Sequence, residues 1–253
     1  MISKNKAKFV QSLSSKKTRE ESGLFIAEGE KLITELSNAG FRFEMLFLTD
    51  DFQKKFAKIQ CEKIITHKEE LAKISSLMNP SSALAICYQR RENTINTYSI
   101  DDLTLALDNI QDPGNFGTIV RTASWFGIRH ILCSENTVDC YNPKVIQATM
   151  GAIAHVKIIY TDLRSALNNY ASNEVAIYGT FMEGKTIYRE KLKENAIVVF
   201  GNEGKGISKE VQQVITHKIS IPSFRNGDLT VESLNVSIAA SIVCSEFRRR
   251  KME

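Results

Sequence analysis

Along this chain, short apolar runs alternate with stretches whose apolar residues recur at helical spacing, and polar turns separate the two. In the first third, Leu24 to Ala27, Phe43 to Thr49, Lys63 to Thr66 and Ala83 to Tyr88 read as strands. Between them, Glu30 to Asn38 places Leu32, Ile33 and Leu36 on one side of a helix, and Asp51 to Gln60 and His67 to Ser75 continue the alternation. A basic amphipathic segment, Lys4 to Ser14, precedes this unit, with Phe9, Val10 and Leu13 as its apolar positions. The polar stretch Gln89 to Asp102 has almost no periodicity and is expected to be a linker. The pattern then restarts with strands over Leu103 to Leu107, His130 to Cys133, Val156 to Tyr160, Val175 to Thr180, Ile197 to Phe200 and Ile219 to Ile221. Strands this uniformly apolar are buried on both faces, as parallel strands joined by helical crossovers are. A last helix over Ser233 to Arg250 is expected to turn Leu234, Ile238, Ser241, Ile242 and Cys244 inward. The chain thus reads as two α/β domains, residues 1–95 and 96–253, with no internal repeat.

Three polar loops in the second domain carry the candidate chemistry. They are Asp112-Pro113-Gly114-Asn115-Phe116-Gly117 running on to Arg121, Gly201-Asn202-Glu203-Gly204-Lys205-Gly206, and Ile221-Pro222 leading to Ser233-Leu234-Asn235. Each follows a strand and precedes a helix, so all three should gather at the carboxyl edge of one sheet, where open α/β sheets bind ligands. In the first loop Pro113-Gly114 makes a turn, and Asn115 is suited to cap the helix that carries Arg121. The glycines of the second loop would let backbone N–H groups approach a phosphate. Neither usual nucleotide pattern fits, because G-x-G-x-x-G is absent and Lys205 is followed by Gly206 rather than by Ser or Thr. Read alone, that loop is equally a tight strand-to-helix connection. In the third loop, either Ser233 caps the last helix and the small residues after it allow close packing, or Ser233 and Asn235 face a ligand.

The bulk numbers narrow the class. A hydrophobic content of 43% over 253 residues is enough to bury a core in one large domain or two modest ones. The net charge of +4 is small but unevenly placed, with Lys4, Lys6, Lys8, Lys16, Lys17 and Arg19 at one end and Arg248, Arg249, Arg250 and Lys251 at the other. Such ends would suit a polyanion, or would simply be solvated. Five cysteines (Cys61, Cys87, Cys133, Cys140, Cys244) without a C-x-x-C pair are expected to be reduced, in a cytoplasmic protein. No stretch reads as a signal peptide or a membrane span, so no membrane partner is expected.

Taken jointly and in this order, N-x-G-x-x-x-R (Asn115, Gly117, Arg121), G-N-E-G-x-G (Gly201 to Gly206) and I-P…S-L-N-V-S-x-A (Ile221 to Ala239) resemble the three motifs of the SpoU, or TrmH-like, RNA ribose methyltransferases of the SPOUT class. The resemblance covers Leu103 to Arg248, and the front motif Phe25 to Lys31 is similar to that of the ribosomal-protein-like substrate-binding domain found in many members. It implies a C-terminal parallel sheet whose last part is threaded into a deep trefoil knot, against the general rule for connections. It implies S-adenosylmethionine as cofactor, a homodimer with active sites near the interface, and no metal. By motif, the methyl-donor site uses main-chain groups around Thr180, Gly201, Asn202, Gly206, Ile221 and Leu234, while Asn115, Arg121, Glu203, Ser233 and Asn235 form the catalytic and substrate-facing set. The stretch Ser223 to Glu232 is a few residues longer than the family's usual run.

Methyl transfer to a ribose 2′-oxygen is an in-line displacement that needs alignment and a route for the hydroxyl proton. No histidine lies in the three motifs, which leaves Arg121 as the candidate to activate the hydroxyl. Deprotonating a free guanidinium at pH 7 costs at least ~7 kcal/mol, so Arg121 is expected to bind an RNA phosphate and polarise the hydroxyl, with proton loss late in the transition state. Glu203 is expected to hold the arrangement together, or to meet the partner chain. The resemblance implies RNA as partner, ribosomal rather than transfer RNA given the two-domain layout. A transfer RNA enzyme, or a non-catalytic RNA-binding or ribosome-assembly protein, is the alternative. A nucleotide-binding oxidoreductase is disfavoured by the missing glycine pattern.

Overall fold

The structure, a computed structural model, describes residues 2–90, 102–224 and 233–252. Most of the stretch expected to be a linker, residues 91–101, and most of the long third loop, residues 225–232, lie outside the described residues. The described chain forms two compact units: residues 2–90 with Asp139–His155, and residues 102–138 with 156–224 and 233–252.

The first unit runs α1 (Lys4–Ser12), α2 (Lys16–Ser22), β1 (Leu24–Glu28), α3 (Glu30–Asn38), β2 (Phe43–Leu48), α4 (Asp50–Gln53), β3 (Glu62–Ile65), α5 (Lys68–Ala72) and β4 (Ala83–Tyr88). Its sheet has the order β1-β4-β2-β3, with β4 antiparallel to both neighbours and β2 parallel to β3. Val10 and Leu13 of the amphipathic start are fully buried against Ile26, Phe47 and Ile86. The helices expected over Asp51 to Gln60 and His67 to Ser75 are shorter, ending at Gln53 and Ala72. Phe56, Ile59 and Ile74 are nevertheless buried, from turns beyond those ends, which is why their spacing reads as helix.

The second unit runs β5 (Thr104–Asp108), α6 (Pro113–Trp125), β6 (His130–Ser134), then, after α7 (Pro143–Thr149) of the first unit, β7 (Lys157–Thr161), α8 (Leu163–Ser172), β8 (Ala176–Thr186), β9 (Ala196–Gly201), α9 (Lys209–Gln212), β10 (His217–Ser220) and α10 (Val236–Lys251). Its six strands are all parallel in the order β10-β8-β9-β5-β6-β7. Ala106, Ile177, Ile197 and Val199 face Leu163 and Leu167 of α8 and Val211 of α9. Strand alternation sends Leu105, Leu107, Val198 and Phe200, all fully buried, to the opposite side. There α10 packs on α6 and β9. The chain builds outward from β5 through β6 to β7, then crosses to the other side of the sheet, so the strand order reverses between β5 and β9. Crevices at such reversals, at the carboxyl ends of the strands, are where these sheets hold ligands.

The last helix buries Cys244 and half-buries Ser241 and Ile242 as expected, but the rest of its inward face is shifted. Val236, Ser237, Ala240, Val243, Cys244, Glu246 and Phe247 are inside, whereas Ile238 and Leu234 are about half exposed, at 51% and 50%. Ser237 is admitted because its hydroxyl donates to Asn235 Oδ1 (2.6 Å), and Glu246 because Arg249 and Arg250 donate to it at 2.7–2.9 Å. Burial pushes the Cys244 thiol up to about 12, so it stays neutral and packs as a small hydrophobe.

Segment Asp139–His155 belongs to the first unit, which apolar periodicity did not reveal. Val145, Ile146 and Ile153 are buried, α7 packs on β1, and the Tyr141 ring lies 4.7 Å from that of Phe25. Arg19 fastens the segment: its Nε and Nη2 donate to Asp139 Oδ2 (2.9 and 2.6 Å), and its Nη1 donates to the carbonyls of Leu13 and Ser14 (2.9 and 2.7 Å). The basic ends are largely neutralised by the chain's own carboxylates. Arg19 is buried, Lys6, Lys16 and Lys17 pair with Glu62, Glu20 and Glu21, and Arg248 makes a two-pronged bond to Asp102 (2.6 and 2.9 Å). Among the described residues, no helix is long and apolar enough to cross a membrane.

Candidate active site

The first loop begins where β5 ends, at Asp108, a buried carboxylate whose Oδ2 accepts the Ser208 N–H (2.7 Å) and whose Oδ1 accepts from Asn109 Nδ2 (2.8 Å). Asn109 then turns the chain with φ +56°, a left-handed value that asparagine tolerates better than most residues. The cap of α6 is Asp112 rather than Asn115: its Oδ1 accepts from Asn115 N (2.7 Å), and Pro113 occupies the first turn, where no N–H is missed. Asn115 stands inside that first turn, and its side chain is left for other partners.

The second loop closes on itself. Asn202 N donates to Gly206 O (3.0 Å) and Gly206 N to Asn202 O (2.9 Å), while Asn202 Oδ1 accepts from the N–H groups of Gly204 and Lys205, both at 3.0 Å. This closure demands glycine at 201, because a Cβ there would lie 2.2 Å from backbone atoms of Gly206 and Ile207. Gly206 has φ +67°, and nothing lies within 4 Å of where its Cβ would be, so the outer edge of the loop is open backbone.

Residues from all three loops meet in one hydrogen-bonded chain. Asn235 caps α10, its Oδ1 accepting from Ser237 N (2.9 Å) and Ile238 N (3.4 Å). With its oxygen committed to the helix, Asn235 presents Nδ2 to Asn115 Oδ1 (2.9 Å). Asn115 in turn presents Nδ2 to Glu203 Oε1 (3.0 Å), and Glu203 Oε2 lies 3.4 Å from Asn202 Nδ2. Asn202 Nδ2 also donates to the carbonyl of Asn109 (2.8 Å), which closes the circuit back to the end of β5. Of the two readings of the third loop, the helix-capping role falls to Asn235, which both caps and faces the site.

Other expected residues lie outside this circuit. Arg121 is exposed on α6, about 9 Å along the axis from Asn115. It makes no hydrogen bond or ion pair with any described residue. Ser233 and Leu234 are exposed just before α10, Ile221 is half-buried after β10, and Thr180 Oγ1 donates to Val199 O (3.0 Å). Asp108, Asn109 and Asp112 were missed as structural members of the site. The one signal for the first two is an Asp-Asn pair closing an otherwise apolar strand.

The loop's N–H groups at 202, 204, 205 and 206 are bonded within the loop itself, so it is not an open phosphate cradle, and the exposed Leu234 and half-buried Ile221 are the apolar residues among the expected donor-site set. An all-parallel sheet thus carries, at the carboxyl ends of its strands, the three loops that hold the motifs, joined by hydrogen bonds. The SpoU rRNA Methylase family matches residues 102–245, more than half of the chain, and the chain belongs to that family. Residues 4–85 match the MRM3-like substrate binding domain. Over 245 residues, 96% of each chain, the sequence is 26% identical to the 23S rRNA (guanosine(2553)-2′-O)-methyltransferase RlmP of Bacillus subtilis. Among solved structures, a protein of Porphyromonas gingivalis described in the TrmH family of RNA methyltransferases is 37% identical, with 99% of both chains covered and a TM-score of 0.88. The AdoMet-bound rRNA methyltransferase of Sinorhizobium meliloti is 25% identical, with 99% of this chain and 97% of that one covered and a TM-score of 0.88.

Proposed function

We propose that this chain transfers a methyl group from S-adenosylmethionine to a ribose 2′-hydroxyl of ribosomal RNA. The observation that carries the reading is the Asn115, Glu203 and Asn235 circuit, assembled from three separate loops at the carboxyl edge of a SpoU-family domain. When bound, S-adenosylmethionine would supply an electrophilic methyl on a sulfonium, and main-chain groups of Thr180, Gly201, Asn202, Gly206, Ile221 and Leu234 would hold it. Asn115, held by hydrogen bonds at both ends of its amide, would orient the ribose together with Ser233 and Asn235. Arg121 binds the neighbouring phosphate and polarises the hydroxyl, since losing its own proton first is too costly. Glu203 keeps Asn115 and Asn202 in register.

The same reading includes a homodimer. Trp125 is 85% exposed, and with Ile238 and Leu234 it leaves an apolar face on the packed pair α6 and α10 that a second copy would cover. Arg121 lies one turn before Trp125 on that face, which accounts for its having no partner among the described residues of one protomer. A trefoil knot belongs to the same reading, and what supports it is the position of α10, on β9 and α6 rather than beside edge strand β10. Cytoplasmic location fits a chain in which none of the five cysteines is in a disulfide.

The decisive experiment maps 2′-O-methyl marks in cellular RNA with and without this chain and measures S-adenosylmethionine binding to the purified protein. Loss of one mark in ribosomal RNA together with donor binding is the expected result. A mark lost from transfer RNA would replace the substrate, and no lost mark with no donor binding would sink the enzyme.

A further inference from the structure

The motifs account for Asn115, Glu203 and Asn235, but not for what holds Glu203 where Asn115 can reach it. Glu203 is exposed on a glycine-rich loop, where a carboxylate samples many rotamers unless its backbone is fixed. The fixing contacts come from the end of the neighbouring strand β5, where Asp108 pairs in register with Gly201. The Asn109 carbonyl accepts from Asn202 Nδ2 (2.8 Å), the residue next to Glu203, and the buried Asp108 carboxylate accepts from Ser208 N (2.7 Å) at the loop's far end. Asn109 is itself clamped: its N–H donates to Ser134 Oγ (2.8 Å), which meets Thr137 Oγ1 (3.0 Å), which donates to Leu107 O (3.1 Å). Its Nδ2 returns to Asp108 Oδ1 (2.8 Å). The carbonyl faces Asn202 only because the backbone at Asn109 is left-handed, with φ +56°.

We propose that Asp108 and Asn109 are positioning residues of the methyl-transfer reaction, acting through the Asn109 main-chain carbonyl and the Ser208 N–H to set the Gly201–Gly206 loop so that Glu203 holds Asn115. Their role rests on the methyltransferase reading above, but the arrangement they hold is observable without turnover. The functional element at 109 is a backbone conformation, so glycine should substitute and a β-branched residue should not.

The test compares Asn109→Val with Asn109→Gly. Placement errors of about an ångström at a reacting centre can cost ~100-fold, so Asn109→Val is expected to lower kcat by roughly 30-fold or more with KM for RNA little changed, and Asn109→Gly to restore it to within about threefold of wild type. In protein carrying 15N-labelled asparagine, the side-chain amide signals of Asn202 and Asn115 should shift and lose protection from exchange in Asn109→Val and keep both in Asn109→Gly. That readout needs no RNA and survives failure of the substrate assignment. Combined with Glu203→Gln, Asn109→Val should add little further loss, because both act on one contact. Should Asn109→Val not fold, Asn109→Ala takes its place with a smaller loss of the same kind. Unchanged amide signals in folded Asn109→Val, equal loss in the Gly and Val variants, or additive loss with Glu203→Gln would each overturn the proposal.

Discussion

Both ends of the Asn115 amide are engaged inside the site, the oxygen accepting from Asn235 and the NH2 donating to Glu203. Neither aspartate nor leucine can do this: the first would turn a second carboxylate on Glu203, and the second would leave two groups unpaired. Arg121 is the opposite case, an exposed guanidinium with no described partner, and its fork is free for a phosphate. Lysine there would keep the charge and lose the planar two-point geometry. Arg121→Lys is therefore expected to lower kcat by about 100-fold while S-adenosylmethionine affinity stays within about twofold, read by single-turnover kinetics and calorimetry. Near-normal turnover with intact donor binding would remove the fork from the mechanism.

At the scale of single elements, α10 joins stability and chemistry at its first residue. Asn235→Ala should cost about 1 kcal/mol in cap energy as well as activity. Asn235→Asp separates the two: a carboxylate caps as well and suits the helix N-terminus, but it has no donor for Asn115 Oδ1. Melting temperature is expected to hold or rise while turnover falls, and parallel loss of both would show that capping is all Asn235 does. At the other end, the Arg249 side chain, helped by Arg250 and opposed by burial, holds the Glu246 carboxyl at about 2 against its ordinary 4.5. A depressed acid stabilises the fold above its unfolded value and stops doing so as pH falls through the folded one. The melting-temperature difference between wild type and Glu246→Gln should thus be full above pH 4.5 and vanish towards pH 2. The same helix shows where the sequence is legible and where it is not. Uniformly apolar strands such as Leu105 to Leu107 and Ile197 to Phe200 can only be central, so the parallel sheet and the three loops at its carboxyl edge follow from pattern, while the mixed pairing of the first sheet does not. Ser237 and Glu246 are buried through partners that a local pattern does not contain, and Ile238 faces out, so the periodicity of α10 finds Cys244 but misplaces the rest of the inward face. Segment Asp139–His155 is not legible as part of the first unit, because its match to β1 and Arg19 lies more than a hundred residues away in sequence. Asn115 as cap failed for a smaller reason: Asp112, three residues earlier, competes for the same job and precedes a proline suited to the first turn.

For the whole molecule, the basic ends are the natural first guess for an RNA surface, and their pairing with Glu62, Glu20, Glu21, Asp102 and Glu246 weakens that guess. On the methylase unit, α6 and the start of α10 expose Arg121 together with three large apolar side chains, Trp125, Ile238 and Leu234. A tryptophan commonly buries 150–250 Å² in an interface, so this cluster could form the centre of a dimer contact of ordinary size, about 800 Å² per partner. Trp125→Glu puts a charge at that centre and is expected to convert a dimer to a monomer in sedimentation, with Ile238→Glu doing the same from the other helix. Both positions are exposed in the single chain, so neither change should lower the melting temperature of the monomer. If Arg121 works beside a second copy, the monomeric variants should also lose methyl transfer, and wild-type activity per chain should fall on dilution below the dimer dissociation constant. A wild-type chain that sediments as a monomer at micromolar concentration and is fully active there would show instead that one protomer is a complete enzyme, and that Arg121 reaches the ribose of the RNA bound to its own loops.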